Sequence, residues 1–333
     1  MHMEKRTLGK TPVEASVIAF GAWAIGGWLW GGADRKDARD AILASFDNGV
    51  TSIDTAPAYG QGLSEEIVGE AMQEIGRHKI QLFTKFGLRW DIQKGDFYFS
   101  SKDNAGRDIK IYKYASKDSV IKECENSLKR LKTDYIDLYQ IHTPDKTTPI
   151  AETMEAMQRL LEQGKIKAAG VSNYSAAQMR EAEKTITLAS NQVPYSMVLR
   201  DIEQEVTPYC RKRNIAILAY SPLQRGLLTG KIKPGHRFNA GDSRADGVFY
   251  EDENILRINK FLEKLRTLAD NKKATLGQLV IRWTIEQPGI TVVLVGARNR
   301  QQAIENAKAS DICISSDQLA FIDGELGKLE LIR

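Results

Sequence analysis

Ile53-Asp54-Thr55-Ala56-Pro57-Ala58-Tyr59-Gly60 closes a short apolar strand with an acid, then turns on proline and glycine to present a tyrosine. Asp54 and Tyr59 are five residues apart, so neither a strand nor a helix sets them on one face. A turn can fold the tyrosine back over the strand end, where carboxylate and phenol share one pocket. A free phenol titrates near ~10, so a tyrosine that donates a proton at neutral pH needs a neighbouring cation to shift it. Ile80-Gln81-Leu82-Phe83-Thr84-Lys85 ends in such a cation, and Tyr135-Ile136-Asp137-Leu138-Tyr139-Gln140-Ile141-His142 ends in an imidazole. A unit charge about 4 Å from the phenolate is worth ~4 kcal/mol at an effective dielectric of ~20. That is roughly three pKa units, enough to bring the tyrosine from ~10 toward 7.

Outward from this stretch, short apolar runs alternate with amphipathic helices. A hairpin is expected over 6–14, and strands over 16–20, 50–54, 80–85, 135–141, 166–171, 188–192, 216–220 and 291–295. Asp34 can cap a helix that ends near Gly49, with Ala38, Ile42 and Phe46 at helical spacing. Ser64, followed by Glu65 and Glu66, opens the next helix as a capping serine followed by acids. Further helices are expected over 116–131, 150–162, 254–271, 275–286, 299–309 and 316–329, with long irregular connections at 86–115 and 224–254. Connections that long tend to be lids or mobile segments. Eight continuous apolar strands with helical returns argue for a parallel sheet closed into a (β/α)8 TIM barrel, an α/β fold in one domain spanning 1–333. In such barrels the reacting groups sit at the strand ends. If Asp54 points inward, so does Ser52; if His142 does, so do Gln140 and Leu138.

Composition narrows the classes. Of 333 residues, 42% are hydrophobic and 27% charged, and the net charge of +4 is spread along the chain, as in an ordinary soluble protein. No basic run interleaves with aromatics, which argues against a nucleic-acid partner. Cys124, Cys210 and Cys313 have no metal spacing and suit a reducing cytoplasm. The start lacks the apolar core of a secretory signal, and no segment approaches ~18 uninterrupted apolar residues. His2, His78, His142 and His236 are not spaced as metal ligands, and no Gly-x-Gly-x-x-Gly follows a strand. Gly226 to Lys231 lacks the spacing of a phosphate loop.

Each site residue also has an ordinary explanation. A lysine ending a strand is usually a solvated charge, an Asp-Thr-Ala turn is mostly structural, and a strand-end histidine is commonly a hydrogen-bonded core group. Asp54, Tyr59, Lys85 and His142 together, in order on consecutive strands, favour chemistry: carbonyl reduction, with tyrosine protonating oxygen as hydride reaches carbon. An aldolase using Lys85 as a Schiff-base nucleophile is the alternative from another class. Trp23, Trp28, Trp30 and Trp90 either line an apolar substrate pocket or pack beneath loops.

At these residues the chain resembles the aldo-keto reductases, and most of all the bacterial subgroup that includes general-stress and inositol-operon reductases. The likeness runs from Thr7-Leu8-Gly9-Lys10 to the terminal helix. It rests on Gly49 through Ala56 with Tyr59-Gly60, on Tyr135 through His142, and on Gly170-Val171-Ser172-Asn173-Tyr174. The resemblance implies a barrel with an N-terminal hairpin cap and two extra helices that binds NADP(H) and reduces aldehydes and ketones. It implies Tyr59 as general acid, Asp54 and Lys85 tuning it, and His142 at the substrate carbonyl. It places Ser172, Asn173 and Gln192 at the nicotinamide carboxamide, Tyr220 against its ring, and Ala22 and Trp23 beside it. Ser221, Leu223, Arg225, Gly226, Leu227 and Lys231 match the loop that wraps the pyrophosphate, and Gly296, Arg298, Gln302, Glu305 and Asn306 the adenosine site. Gly296 and Ala297 stand where many members carry Lys-Ser, and Gln302 replaces an arginine, which leaves Arg298 to meet a 2′-phosphate. A small-molecule carbonyl substrate, a monomer or weak homo-oligomer, and no membrane or nucleic-acid partner complete the expectation. Some relatives serve channels as redox-sensing subunits, the rival with little turnover.

Overall fold

The computed structural model describes residues 3–239, 241–245 and 247–332. Eight parallel strands close into a barrel in sequence order: β1 (Ile18–Gly21), β2 (Ser52–Asp54), β3 (Gln81–Phe86), β4 (Leu138–Ile141), β5 (Ala169–Ser172), β6 (Ser190–Pro194), β7 (Ala216–Tyr220) and β8 (Ile290–Val295). The expected strands are all present, several starting later because their first residues belong to the approach rather than the ladder. An antiparallel hairpin, Lys5–Thr7 with Glu14–Ser16, precedes the barrel. Its Leu8, Val13 and Ala15 join Ala19, Phe83, Leu138, Ala168, Ala189, Leu218 and Val292 in an interior cluster, so the hairpin plugs the end where the strands begin. The opposite face of each strand belongs to the larger core beneath the helices, as with Phe20, Ile53, Leu82, Tyr139 and Val293. This alternation is what a parallel strand covered on both faces requires.

The helix after β1, Arg35–Asp47, is capped by Asp34, whose side chain accepts from the Asp37 amide at 2.8 Å. Ser64 is not a cap. The next helix, Leu63–Ile75, starts at Gly62 in the left-handed region. The Ser64 hydroxyl instead bonds Ala22 O and Thr55 Oγ1, each at 2.8 Å, tying the ends of β1 and β2 together. Lys117–Leu131 and Ile150–Glu162 follow as expected. Periodicity leaves Ala176–Ala182 and Val206–Arg213 unassigned, and both are helical. The stretch expected as one helix over 254–271 is two, Asp252–Lys264 and Arg266–Asn271, parted at Leu265.

The largest departure is at 86–115. This connection is a three-stranded antiparallel sheet, Leu88–Arg89, Asp96–Lys102 and Asp108–Lys113, in the order first, third, second. The turn Asp103-Asn104-Ala105-Gly106 makes it possible: Asp103 Oδ1 accepts from the amides of Ala105 and Arg107 at 2.9 Å, and Gly106 takes a φ of 78°. Trp28, Leu88 and Ile111 pack between this sheet and the loop after β1. The connection expected at 224–254 ends at 251, where the helix Asp252–Lys264 begins, and its described residues are irregular apart from the short helical turns Leu227–Thr229 and Val248–Tyr250.

Candidate active site

Strand alternation turns Ser52 and Asp54 of β2, Lys85 of β3, and Leu138 and Gln140 of β4 toward the barrel interior, with His142 just past the end of β4. Lys85 is wholly buried. Its ammonium donates to Asp54 Oδ1 at 2.5 Å, to the Thr55 carbonyl at 3.0 Å and to Tyr59 Oη at 3.2 Å. An ammonium has three hydrogens, so these acceptors use all of them. Because the tyrosine oxygen accepts from the lysine, its own proton is left to point elsewhere. The second oxygen of Asp54 accepts from Gln192 Nε2 at 2.8 Å and Gln140 Nε2 at 3.4 Å.

The turn that carries Tyr59 is fixed from two sides. Its amide donates to Ala56 O at 3.1 Å, and its carbonyl accepts from the Ser64 amide at 3.1 Å. Gly26 lies so close that a Cβ there would sit 2.6 Å from Tyr59 O, so glycine is required by the approach. The His142 ring meets Tyr59 edge-on at 5.5 Å, and Trp23 lies 6.2 Å from Tyr59 on another side.

Electrostatics correct one expectation. Burial, and then the charge of Asp54, pushes the Tyr59 phenol well above its usual range. A unit charge on Lys85 would lower the phenol, but Lys85 is paired with Asp54 at 2.5 Å, so the phenol feels a dipole rather than a unit charge. Burial draws Lys85 downward against the opposing pull of Asp54. Burial, and then Lys85, hold His142 far below the ordinary imidazole range, so it is neutral at pH 7. Tyr59 is therefore a protonated donor and His142 a neutral hydrogen-bonding group.

A cleft of about 890 Å³ opens from Tyr59 and runs to Asn306. Of the positions singled out for cofactor binding, Trp23, Ser172, Asn173, Gln192, Tyr220, Ser221, Leu223, Arg225, Gly226, Lys231, Gly296, Arg298, Gln302, Glu305 and Asn306 line it. Ala22 and Leu227 do not. Ala22 is buried with its carbonyl bonded to Ser64, and Leu227 packs in the outer core. Near Tyr59, Asn173 Nδ2 donates to His142 O at 3.0 Å, and Tyr220 Oη donates to Asn173 Oδ1 at 3.0 Å. Farther along come the cations Arg225, Lys231 and Arg298. Amide groups beside an aromatic ring, then a row of cations, match the donor set a nicotinamide dinucleotide needs. Arg298 Nη2 donates to Gly32 O in the loop after β1 at 2.8 Å, and Gln302 accepts from the Arg298 amide at 2.9 Å.

Sequence reasoning missed Arg244, Leu88, Tyr98 and Phe99, which also line the cleft. Arg244 comes from an irregular loop whose Ser243 amide donates to Leu29 O, bringing it over the loop after β1. The others come from the unforeseen sheet, where Phe99, Ile109 and Ile111 were the available signal and a register shift between Phe97 and Phe99 interrupts the alternation. Trp23, Trp28 and Trp30 line the cleft, whereas Trp90 packs beneath the sheet.

A closed eight-stranded parallel barrel with an Asp, Tyr, Lys and His at adjoining strand ends is the architecture of a barrel oxidoreductase. The Aldo/keto reductase family profile matches residues 17–325, and the chain belongs to that family. It is 41% identical over 305 residues to the aldo-keto reductase YhdN of Bacillus subtilis, covering 90% of this chain and 86% of that one. It is 37% identical over 318 residues to the NADH-specific methylglyoxal reductase of Escherichia coli, covering 94% and 95%. Among solved structures, the glycerol dehydrogenase of Gluconobacter oxydans superposes with a TM-score of 0.87 at 35% identity, covering 98% of this chain and 95% of that one.

Proposed function

We propose that this protein reduces aldehydes and ketones to alcohols with NADPH, Tyr59 acting as general acid. The observation that carries the reading is the lysine whose three hydrogens are taken by Asp54, Thr55 O and Tyr59 Oη. Tyr59 then accepts from Lys85 and gives its own proton to the substrate oxygen. A nicotinamide held along the cleft would supply the hydride that the carbonyl carbon accepts. Neutral His142 donates to the same oxygen and orients it, and Asp54 holds Lys85 charged as negative charge grows on the phenolic oxygen. Ser172, Asn173 and Gln192 would hold the carboxamide, Tyr220 the ring, and Arg225 and Lys231 the pyrophosphate. Likeness to a bacterial reductase supports membership of the bacterial subgroup with general-stress and inositol-operon members. Free cysteines, two of them buried, favour the cytoplasm. Among the described residues no helix is long and apolar enough to cross a membrane. We take the working form to be a monomer or weak homo-oligomer.

The test is a steady-state assay of 4-nitrobenzaldehyde with NADPH and, in parallel, NADH. Tight cofactor binding with negligible turnover would favour a redox-sensing subunit instead. Cofactor choice rests on Arg298, the cation beside Gly296 and Gln302. Arg298→Ala is expected to weaken NADPH binding about tenfold or more, a loss of ~1.4 kcal/mol per decade, and to leave NADH within about twofold. Equal losses for both cofactors would remove Arg298 as a phosphate ligand. That outcome would align the chain with the NADH-specific relative.

The pKa directions also fix a pH profile. Reduction needs Tyr59 protonated, and its pKa is raised, so the acid form persists through neutrality and is lost only on the alkaline side. His142 is lowered, so it stays neutral until strongly acidic pH. The kcat for reduction should therefore be flat between about pH 6 and about pH 9, falling only above. A rate that halves near pH 7 would contradict the assignment.

A further inference from the structure

Resting on the reductase reading, we propose that the sheet inserted at 86–115 is the specificity element of the site, and that it selects uncharged, flat apolar carbonyl compounds over 2-oxo acids and sugar phosphates. The end of the cleft beyond Tyr59 is walled by Trp23, Trp28 and Trp30 from the loop after β1 and by Leu88, Tyr98 and Phe99 from the insertion. None of these six side chains carries a carboxylate, an amine or a guanidinium. Asp54 and Lys85 neutralise one another at 2.5 Å. Arg244, stacked over Trp30 at 5.0 Å, is already held in a fork by both oxygens of Asp242, at 2.9 and 2.6 Å. With Arg225 assigned to the pyrophosphate, a carboxylate or phosphate on the substrate would be desolvated there without a free counter-ion among the described residues, whereas an aryl group would exchange water for aromatic faces.

The insertion is built as a wall. Trp28 Nε1 donates to Lys102 O at 3.0 Å and to Ser101 Oγ at 3.1 Å, and its ring stacks on Phe99 with 8° between the planes. At the tip, Asn104 Nδ2 donates to Gly26 O at 2.8 Å, and Gly26 is the residue packed against the Tyr59 backbone. The strands thus shape the pocket and brace the turn that carries the acid. Tyr98 stands at the mouth, 48% exposed, under the ammonium of Lys113 at 4.1 Å. Lys113 faces Asp96 at 3.8 Å.

The experiment compares kcat/KM for 4-nitrobenzaldehyde, propanal and glyoxylate in the wild type, Phe99→Ala and Tyr98→Ala, with the melting temperature of each. The wild type should prefer 4-nitrobenzaldehyde to propanal by about tenfold or more and use glyoxylate least. Phe99→Ala should lower the aromatic value about 10–100-fold and leave propanal within about threefold. Tyr98→Ala, at a half-exposed position, should move the same way by about 3–10-fold and decides the matter if Phe99→Ala does not fold. Equal losses on both aldehydes, or glyoxylate matching 4-nitrobenzaldehyde, overturn the proposal while leaving the reductase reading intact. If the wild type reduces no carbonyl with either cofactor, the reductase reading falls. Quenching of tryptophan fluorescence then decides the pocket: benzyl alcohol binding more tightly than propanol or glycolate, and weakened by Phe99→Ala, supports it, and no preference removes it.

Discussion

A Tyr59→Phe variant is expected to lose carbonyl reduction by at least about 10²-fold, and up to about 10⁴-fold, while binding NADPH within a few-fold of the wild type. The phenylalanine keeps the ring against His142 and Trp23, so the shape of the cleft is retained. Only the oxygen is lost, and with it a phenolic proton that no group among the described residues accepts. Lys85 loses one of three acceptors, which costs about 1–3 kcal/mol of stability if water does not replace it. The groups assigned to the pyrophosphate and the adenosine, Arg225, Lys231 and Arg298, are carried by the loops after β7 and β8, apart from the Tyr59 turn. Steady-state rates together with cofactor titration separate the two effects. A variant that kept most of its activity would show that the proton comes from elsewhere, with His142 the next group to test.

Much of this site could be read from order alone. Asp54, Lys85 and His142 each end an apolar run, and alternation within each run fixes which face they share. Once the barrel closes in sequence order, the three must meet. The energetics were less legible. The distance between Lys85 and Tyr59 could be anticipated, but not the tighter contact between Lys85 and Asp54 that opposes the ammonium's field at the phenol. Pairing of that kind depends on third and fourth partners, Gln140 and Gln192, which sit on other strands and whose amides have no local signature.

Loops escaped for a different reason. The segment 86–115 is rich in Gly, Asp, Ser and Tyr, which composition reads as irregular. Its pairing is set instead by the turn at 103–107 and by Ser101 opposite Ile109 and Phe99 opposite Ile111, and a register shift between Phe97 and Phe99 breaks the alternation. Ser64 shows the converse. Followed by two acids it fits a cap, yet the chain enters the helix through Gly62, and the hydroxyl serves the junction of β1 and β2. In both places a local rule was overridden by what the neighbouring strands needed.

The ion pair gives the second large effect. Lys85→Met should abolish activity and also destabilise the fold by about 3–5 kcal/mol, because Asp54 is left as a buried carboxylate with amide donors alone. Asp54→Asn should be destabilising for the mirror reason, with a buried ammonium and no counter-ion. The double variant, Lys85→Met with Asp54→Asn, removes both charges and is expected to recover much of the lost stability, since replacing a whole buried pair is often close to neutral. It should recover none of the activity: without Lys85, nothing stabilises charge on the Tyr59 oxygen as the proton leaves. Chemical denaturation of the four proteins closes the cycle, and turnover is read alongside it. Should the double variant prove no more stable than Lys85→Met, the buried charge of Asp54 is not the source of the loss. Should it regain turnover, the ammonium is not needed by the acid, and the role assigned here to Lys85 is wrong.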